Sequence, residues 1–337
     1  MFVRNKTPFD VRLAKGHITD ERAAGAIVVQ LVLRAAEGRL ESLAEPPAKA
    51  ETDPPDTSVY TLWKGASVTA AGSALGPSKP PYVRGVALRV GAEERRLVVF
   101  GNRRWKARLM GGLEPSTPEP FDRIELSWKR AFGGGYDVPP GLMPGSGLPH
   151  PGYRVGYPLN DGGVGYYPDE AHARGGPLPN IELPTELLRA WNDTPEPAGF
   201  TPCRELVALR MKDEYEEIGR RFTATQDEAA LHRDVFPSLR LQHHAAGRLI
   251  FDDLAPGAAI ELQGLGTAPV RFTVPPSPVR VFGRLRRGEA EAAPRLRAVH
   301  IDADRSLVRV IFDHSFTYDP RRAPSWIRVA PAQRGAP

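Results

Sequence analysis

The chain holds one cysteine, Cys203, among 337 residues. A single thiol excludes an internal disulfide framework and any multi-cysteine zinc site. Long hydrophobic runs are missing too. No apolar stretch approaches the roughly 20 residues that span a bilayer, and Met1 to Lys6 lacks the apolar core of a secretory signal. The expected compartment is therefore the cytoplasm. Lysine is scarce, with Arg outnumbering Lys 37 to 8. The arginines are scattered, without the basic run interleaved with aromatics that nucleic-acid binding calls for. The net charge of +5 thus names no polyanionic partner, and neither nucleic acid nor membrane is expected as one.

Arrays that carry chemistry are equally thin. His243 and His244 are adjacent, so on a strand they would face opposite ways and not chelate together. His300 and His314 flank a C-terminal hairpin and are the remaining candidates to approach each other. Gly133-Gly134-Gly135 and Gly162-Gly163-Val164-Gly165 lack the spacing and the following helix of a nucleotide loop. Gly145-Ser146-Gly147 is the nearest approach to a nucleophile elbow, but nothing in its Pro-rich surroundings orients a base. Cys203 reads as a passive residue, and Asp252-Asp253 as a turn after Leu249-Ile250-Phe251. No cofactor, no metal and no catalytic residue is expected.

What the sequence does have is turn chemistry. Gly (33) and Pro (35) make up about a fifth of the chain, while 41% hydrophobic and 25% charged residues are ordinary for a globular protein. Glycine supplies backbone angles that other residues avoid, and proline fixes its own. Four segments set these beside aromatics and arginine: Val99 to Trp105, Arg130 to Gly134, Asn160 to Tyr166, and Leu178 to Pro184. Shaped loops of this kind hold a scaffold together or present a surface. Trp105 and Phe132 are expected as core anchors, with Arg103 or Arg104 stacking on an aromatic or pairing with Glu182. Asn180 is expected to bond the backbone of a neighbouring loop.

Strand signals dominate the rest. Ile27 to Leu33 is a β-branched run entering a hairpin at Glu37-Gly38-Arg39. Tyr82 to Val90 alternates, with Val86, Leu88 and Val90 on one face, and Leu97 to Phe100 follows a charged turn at Glu93-Glu94-Arg95. Period-two alternation recurs over 260–262, 270–274 and 279–282, and 296–301 and 307–312 flank a polar turn. Short helices are expected over 185–191, 212–221 and 225–232, and a Pro- and acid-rich loop over 45–56. The stretch 133–203 shows little periodicity, yet its tyrosines argue for packing.

The fold class is mainly β: antiparallel, sandwich-like lobes with a long, ordered Gly/Pro-rich loop region and a few short helices. Residues 1–330 read as a single domain. A subdivision into two β lobes (1–132 and 236–330) joined by a loop-rich, short-helical region (133–235) stays open. So does a duplication, because Val99-Phe100-Gly101 and Val281-Phe282-Gly283 each precede an arginine pair.

The ordered series of motifs resembles a bacterial family, domain-of-unknown-function 2169, associated with type VI secretion. The residues that carry the resemblance are Asn5-Lys6-Thr7-Pro8-Phe9, Phe100 to Trp105, Pro120-Phe121, Arg130 to Gly134, Asn160 to Tyr166, Leu178 to Pro184, and Pro197-Ala198-Gly199-Phe200. It covers roughly residues 1 to 320 and departs over 204–234. Asn102 also stands where the pattern commonly has Asp, and Asn160-Asp161 where it has Asn-Pro. What the resemblance implies is a non-enzymatic adaptor or chaperone that binds a toxic effector protein and promotes its loading onto the VgrG spike protein. Its partner-binding or scaffold residues here would be Asn5, Phe9, Arg103, Trp105, Phe132, Gly133, Gly134, Asn160, Tyr166, Asn180, Glu182 and Phe200. The alternative is a hydrolase or carbohydrate-active β-sandwich using a carboxylate pair in the 133–200 loops.

Overall fold

The small and β-branched side chains of residues 22–36 form the longest strand, Arg22–Ala36. The computed structural model describes residues 2–19, 22–43, 65–143, 147–212, 219–220, 223, 243–285, 288–323 and 326–332. Successive side chains of a strand leave opposite faces. Ile27, Val29, Leu31 and Leu33 accordingly enter the main core, while Ala26 and Val28 join Ala14 in a second cluster behind it. Glu37 and Gly38 both take positive φ (48° and 81°), the pair of angles that a tight hairpin turn needs, and the chain returns as Arg39–Ser42.

Arg22–Ala36 lies next to one edge of a seven-stranded sheet. Asp10–Thr19 and the returning Arg39–Ser42 pair along one side of it, and Leu307–Tyr318, Arg295–Asp302, Ala66–Ala71 and Ile250–Phe251 follow in order on the other. All contacts are antiparallel except Arg295–Asp302 beside Ala66–Ala71. A five-stranded antiparallel sheet runs Ile181–Glu182, Glu93–Phe100, Val83–Val90, Ala259–Gln263, Val270–Thr273. Four further strands, Phe2–Asn5, Trp326–Pro331, Val279–Leu285 and Gly288–Ala292, make a third sheet. Val68, Val299 and Val310 of the first sheet, Leu88, Val99 and Leu262 of the second, and Val281 and Val329 of the third pack into one hydrophobic core.

The protein is mainly β with several largely antiparallel sheets, as composition and alternation indicate. The sheets do not respect the split at 132 and 236. Strands from both stretches pair side by side within each of the two largest sheets, Val83–Val90 with Ala259–Gln263 in one and Ala66–Ala71 with Arg295–Asp302 in the other. The two motifs that raised the idea of duplication are also not equivalent. Val99-Phe100 ends its strand, whereas Val281 to Gly283 lies inside one, and residues 286–287 fall outside the described set.

Other local expectations shift. The Val83–Val90 hairpin turns at Gly91-Ala92, so Glu93 to Arg95 already belong to the next strand. Arg89 pairs with Glu94 across the hairpin, while Arg95 pairs with Glu93 on its own strand. The helix expected over 185–191 is absent. The carboxylate of Glu182 accepts the Leu188 amide and that of Asp193 accepts the amides of Arg189 and Ala190, so side chains take the amides that a helix would use. One short helix, Val207–Met211, precedes the 212–221 expectation, most of which, like 225–232 and the 45–56 loop, lies outside the described residues. His243 and His244 sit in a bend and not on a strand. His300 faces Arg309 while His314 faces Ile27, at opposite ends of their strand pair.

Candidate functional site

The 133–203 stretch, aperiodic in sequence, is organised as short ribbons around rings. Phe132-Gly133 pairs in parallel with Val164-Gly165, and Gly135–Val138 pairs with Tyr153–Gly156. Phe132 meets Tyr157 edge-on at 4.9 Å between ring centroids, and Tyr157 meets Tyr166 at 5.5 Å. Trp105, Leu113, Leu178 and Leu188 complete this second core, with Tyr166, Tyr167 and Trp191 packed at its margin. Burying a large ring contributes roughly 1.5–3 kcal/mol, enough to hold strands of two residues that would not persist alone.

Asn160 ties the ribbons together. Its Nδ2 donates to the carbonyls of Trp128 (2.8 Å) and Phe132 (3.0 Å), and its own carbonyl accepts the Gly134 amide. Gly133 stands at φ +145°, with the Asn160 carbonyl only 2.0 Å from where a Cβ would lie. Only glycine fits there. Gly199 is required by a ring instead: Trp128 lies across it, 2.9 Å from a would-be Cβ, and donates its indole N–H to Thr201 and Pro202 carbonyls.

Arg103 and Glu182 form a buried ion pair. The guanidinium also donates to the Pro179 carbonyl (2.8 Å) and lies 3.7 Å over the Phe100 ring. Burial pushes the Glu182 carboxyl above its ordinary pKa, with Arg103 and the Leu188 amide opposing. Asn180, beside this pair, donates to the Phe100 carbonyl (3.1 Å) and to Asn102 Oδ1 (3.2 Å), and accepts from Arg130 (3.2 Å). The stacking, the pairing and the loop-bonding role follow the sequence expectations.

Nine of the twelve singled-out residues thus converge: Arg103, Trp105, Phe132, Gly133, Gly134, Asn160, Tyr166, Asn180 and Glu182. The other three lie elsewhere. Asn5 closes the turn to Phe9, donating to its carbonyl at 2.9 Å, at the edge of the third sheet. Phe200 is fully buried in the main core.

Above the converging loops opens a cleft of about 600 Å³. Arg103, Arg104, Arg130 and Asn180 line it from the motif loops, together with residues that motif reading did not single out, the cation Lys129 and the acids Glu119 and Glu125. Lys129 lies beside Arg130 in the 3-10 turn Trp128–Arg130 that Ser127 caps. Two ribbons leave the same second core. The hairpin Trp105–Ala107/Leu113–Pro115 carries Leu109 and Met110 fully exposed at its tip, and the arm around Gly141–Leu142/Pro149–His150 exposes Leu142, Met143, Leu148 and Tyr153.

The reactive groups are mostly engaged. Burial pushes the Cys203 thiol up to about 12, where it is not a nucleophile. Glu196 pairs with Lys212 and Arg248, Asp169 caps Glu170–Ala173, and Glu186 accepts the Glu196 amide. Among the described residues no three His, Cys, Asp or Glu side chains are grouped to hold a metal ion.

No curated protein and no solved structure matches this chain. One family model does, over residues 21–313, so the chain belongs to the family described as "Uncharacterized protein conserved in bacteria (DUF2169)".

Proposed function

We propose that the protein is a non-enzymatic adaptor that binds an effector protein in the cytoplasm and promotes its loading onto the VgrG spike. The observation that carries this reading is the pair of ribbons with solvent-facing apolar tips. Six large apolar side chains stand exposed on two arms rooted in one aromatic core. Grouped apolar exposure is characteristic of protein-binding surfaces, and arms held in shape by buried rings lower the ordering cost of association. Of the carboxylates in 133–200, Glu182, Glu186, Asp193 and Glu196 serve caps and ion pairs, which favours binding over hydrolysis.

Affinity capture of the tagged protein from its own host tests the reading. Recovery of an effector and a spike component is expected, and it should be lost in Leu109→Asp/Met110→Asp. Recovery of neither from the wild type overturns it.

A further inference from the structure

We propose that the cleft beside Arg103 receives an acidic, carboxylate-bearing segment of the polypeptide partner, a reading that rests on the adaptor function above. Three features point to it. The floor is rigid: Arg103, only 6% exposed and paired with Glu182, lines it, and its Nε has no hydrogen-bond partner among the described residues. The rim adds Arg104, Lys129 and Arg130. Arg104 and Arg130 each hold one internal contact, to the Gly175 carbonyl and to Asn180 Oδ1. These contacts orient the guanidinium forks while leaving donors for a carboxylate, which an arginine grips through two parallel N–H bonds. Lys129 is exposed and its ammonium has no internal hydrogen bond among the described residues.

The acids select the kind of anion. Glu119 and Glu125 share the lining with the cations. A uniform polyanion such as nucleic acid would meet them at every register and be repelled. A peptide with spaced carboxylates can set its charges on the cations and its uncharged residues beside the two glutamates. The side-chain amide of Asn102, exposed at the same cleft, suits main-chain groups of such a segment. The ribbons would supply apolar contact and the cleft the register.

A photo-crosslinking amino acid at Lys129, and separately at Leu109, in the full-length protein within its host tests this. The expected product at Lys129 is a partner peptide rich in Asp and Glu. A synthetic copy of that peptide should bind purified wild type by fluorescence anisotropy. Binding should be at least tenfold weaker to Lys129→Glu and Arg104→Glu, and at least tenfold weaker when the peptide's acids are replaced by amides. Crosslinking of nucleic acid or of a non-acidic peptide at Lys129, or equal binding of the amidated peptide, overturns the proposal. Crosslinks at Leu109 but none at Lys129 would sink the cleft while sparing the adaptor reading, and none at either position would sink both.

Discussion

Arg103 and Glu182 lie 79 positions apart in sequence and meet as an ion pair that is almost wholly out of water. Arg103 also donates to the Pro179 carbonyl across the two loops and lies over the Phe100 ring, while Glu182 accepts the Leu188 amide. Removing one partner strands a buried charge. Arg103→Leu is expected to cost about 3–5 kcal/mol, read as a lowered urea midpoint. The double change Arg103→Leu/Glu182→Leu should cost less than the sum of the singles, because neither charge is left alone. Equal additivity would show that the pair is not coupled.

The backbone at Gly133 gives a sharper contrast. Gly133→Ala places a methyl 2.0 Å from the Asn160 carbonyl at a φ of +145°. A loss of more than about 2 kcal/mol is expected from the strain alone. Gly162→Ala, two residues from Asn160, meets nothing within 4 Å, and should leave thermal stability within about 0.5 kcal/mol. Comparable melting temperatures for the two variants would contradict the packing described.

Asn160 tests the polarity of the same junction. Its amide nitrogen faces two carbonyl oxygens, those of Trp128 and Phe132. Asn160→Asp replaces that donor with an acceptor carrying charge, whereas Asn160→Ala only leaves the carbonyls unpaired. The aspartate should therefore be the more damaging at neutral pH, by about 1–2 kcal/mol beyond the alanine. Part of that excess should return as pH falls and the carboxyl gains a proton. The same denaturation series at two pH values reads this out.

The long strands were legible because their cause is local. Ile27 to Leu33 or Val83 to Val90 announces itself by β-branching or alternation, and the core faces follow from the pleat. Arg103 with Glu182, and Asn180 with its loop, were legible because a buried charge or amide demands a partner and the candidates nearby were few. The two-residue ribbons were not, since Phe132-Gly133 and Val164-Gly165 have no period to read and exist through rings brought together by the fold. The failed helix at 185–191 has the same root: propensity favours it, but Asp193 and Glu182 reach its amides. The cleft was hidden because Glu119, Glu125 and Lys129 belong to segments whose meeting depends on sheet order.

Solvent-facing apolar residues should separate stability from function. Leu109 and Met110 touch little of their own protein at the tip of the Trp105–Pro115 hairpin. Leu109→Ser/Met110→Ser should change the unfolding free energy by no more than about 0.5 kcal/mol while reducing partner recovery at least fivefold. Unchanged recovery would move the docking surface away from this arm.

His300 supplies a pH dependence of predictable sign. Burial, with Arg309 facing it across the strand pair, lowers its pKa from 6.5 to about 4, and Thr69 Oγ1 lies 3.0 Å from Nδ1. The folded state therefore resists a proton that the unfolded chain accepts. Stability from this residue is complete above about pH 6.5 and is lost as pH falls toward 4. The full shift corresponds to roughly 3 kcal/mol, and because the ring is not wholly shielded from solvent about 2 kcal/mol is the expected size. His300→Asn cannot titrate but keeps a polar group for Thr69. The difference between wild type and this variant, measured by urea unfolding at several pH values, should therefore shrink or reverse in favour of the variant between pH 6.5 and 4. A difference that stays constant across that range would show that the imidazole is not held neutral by its surroundings.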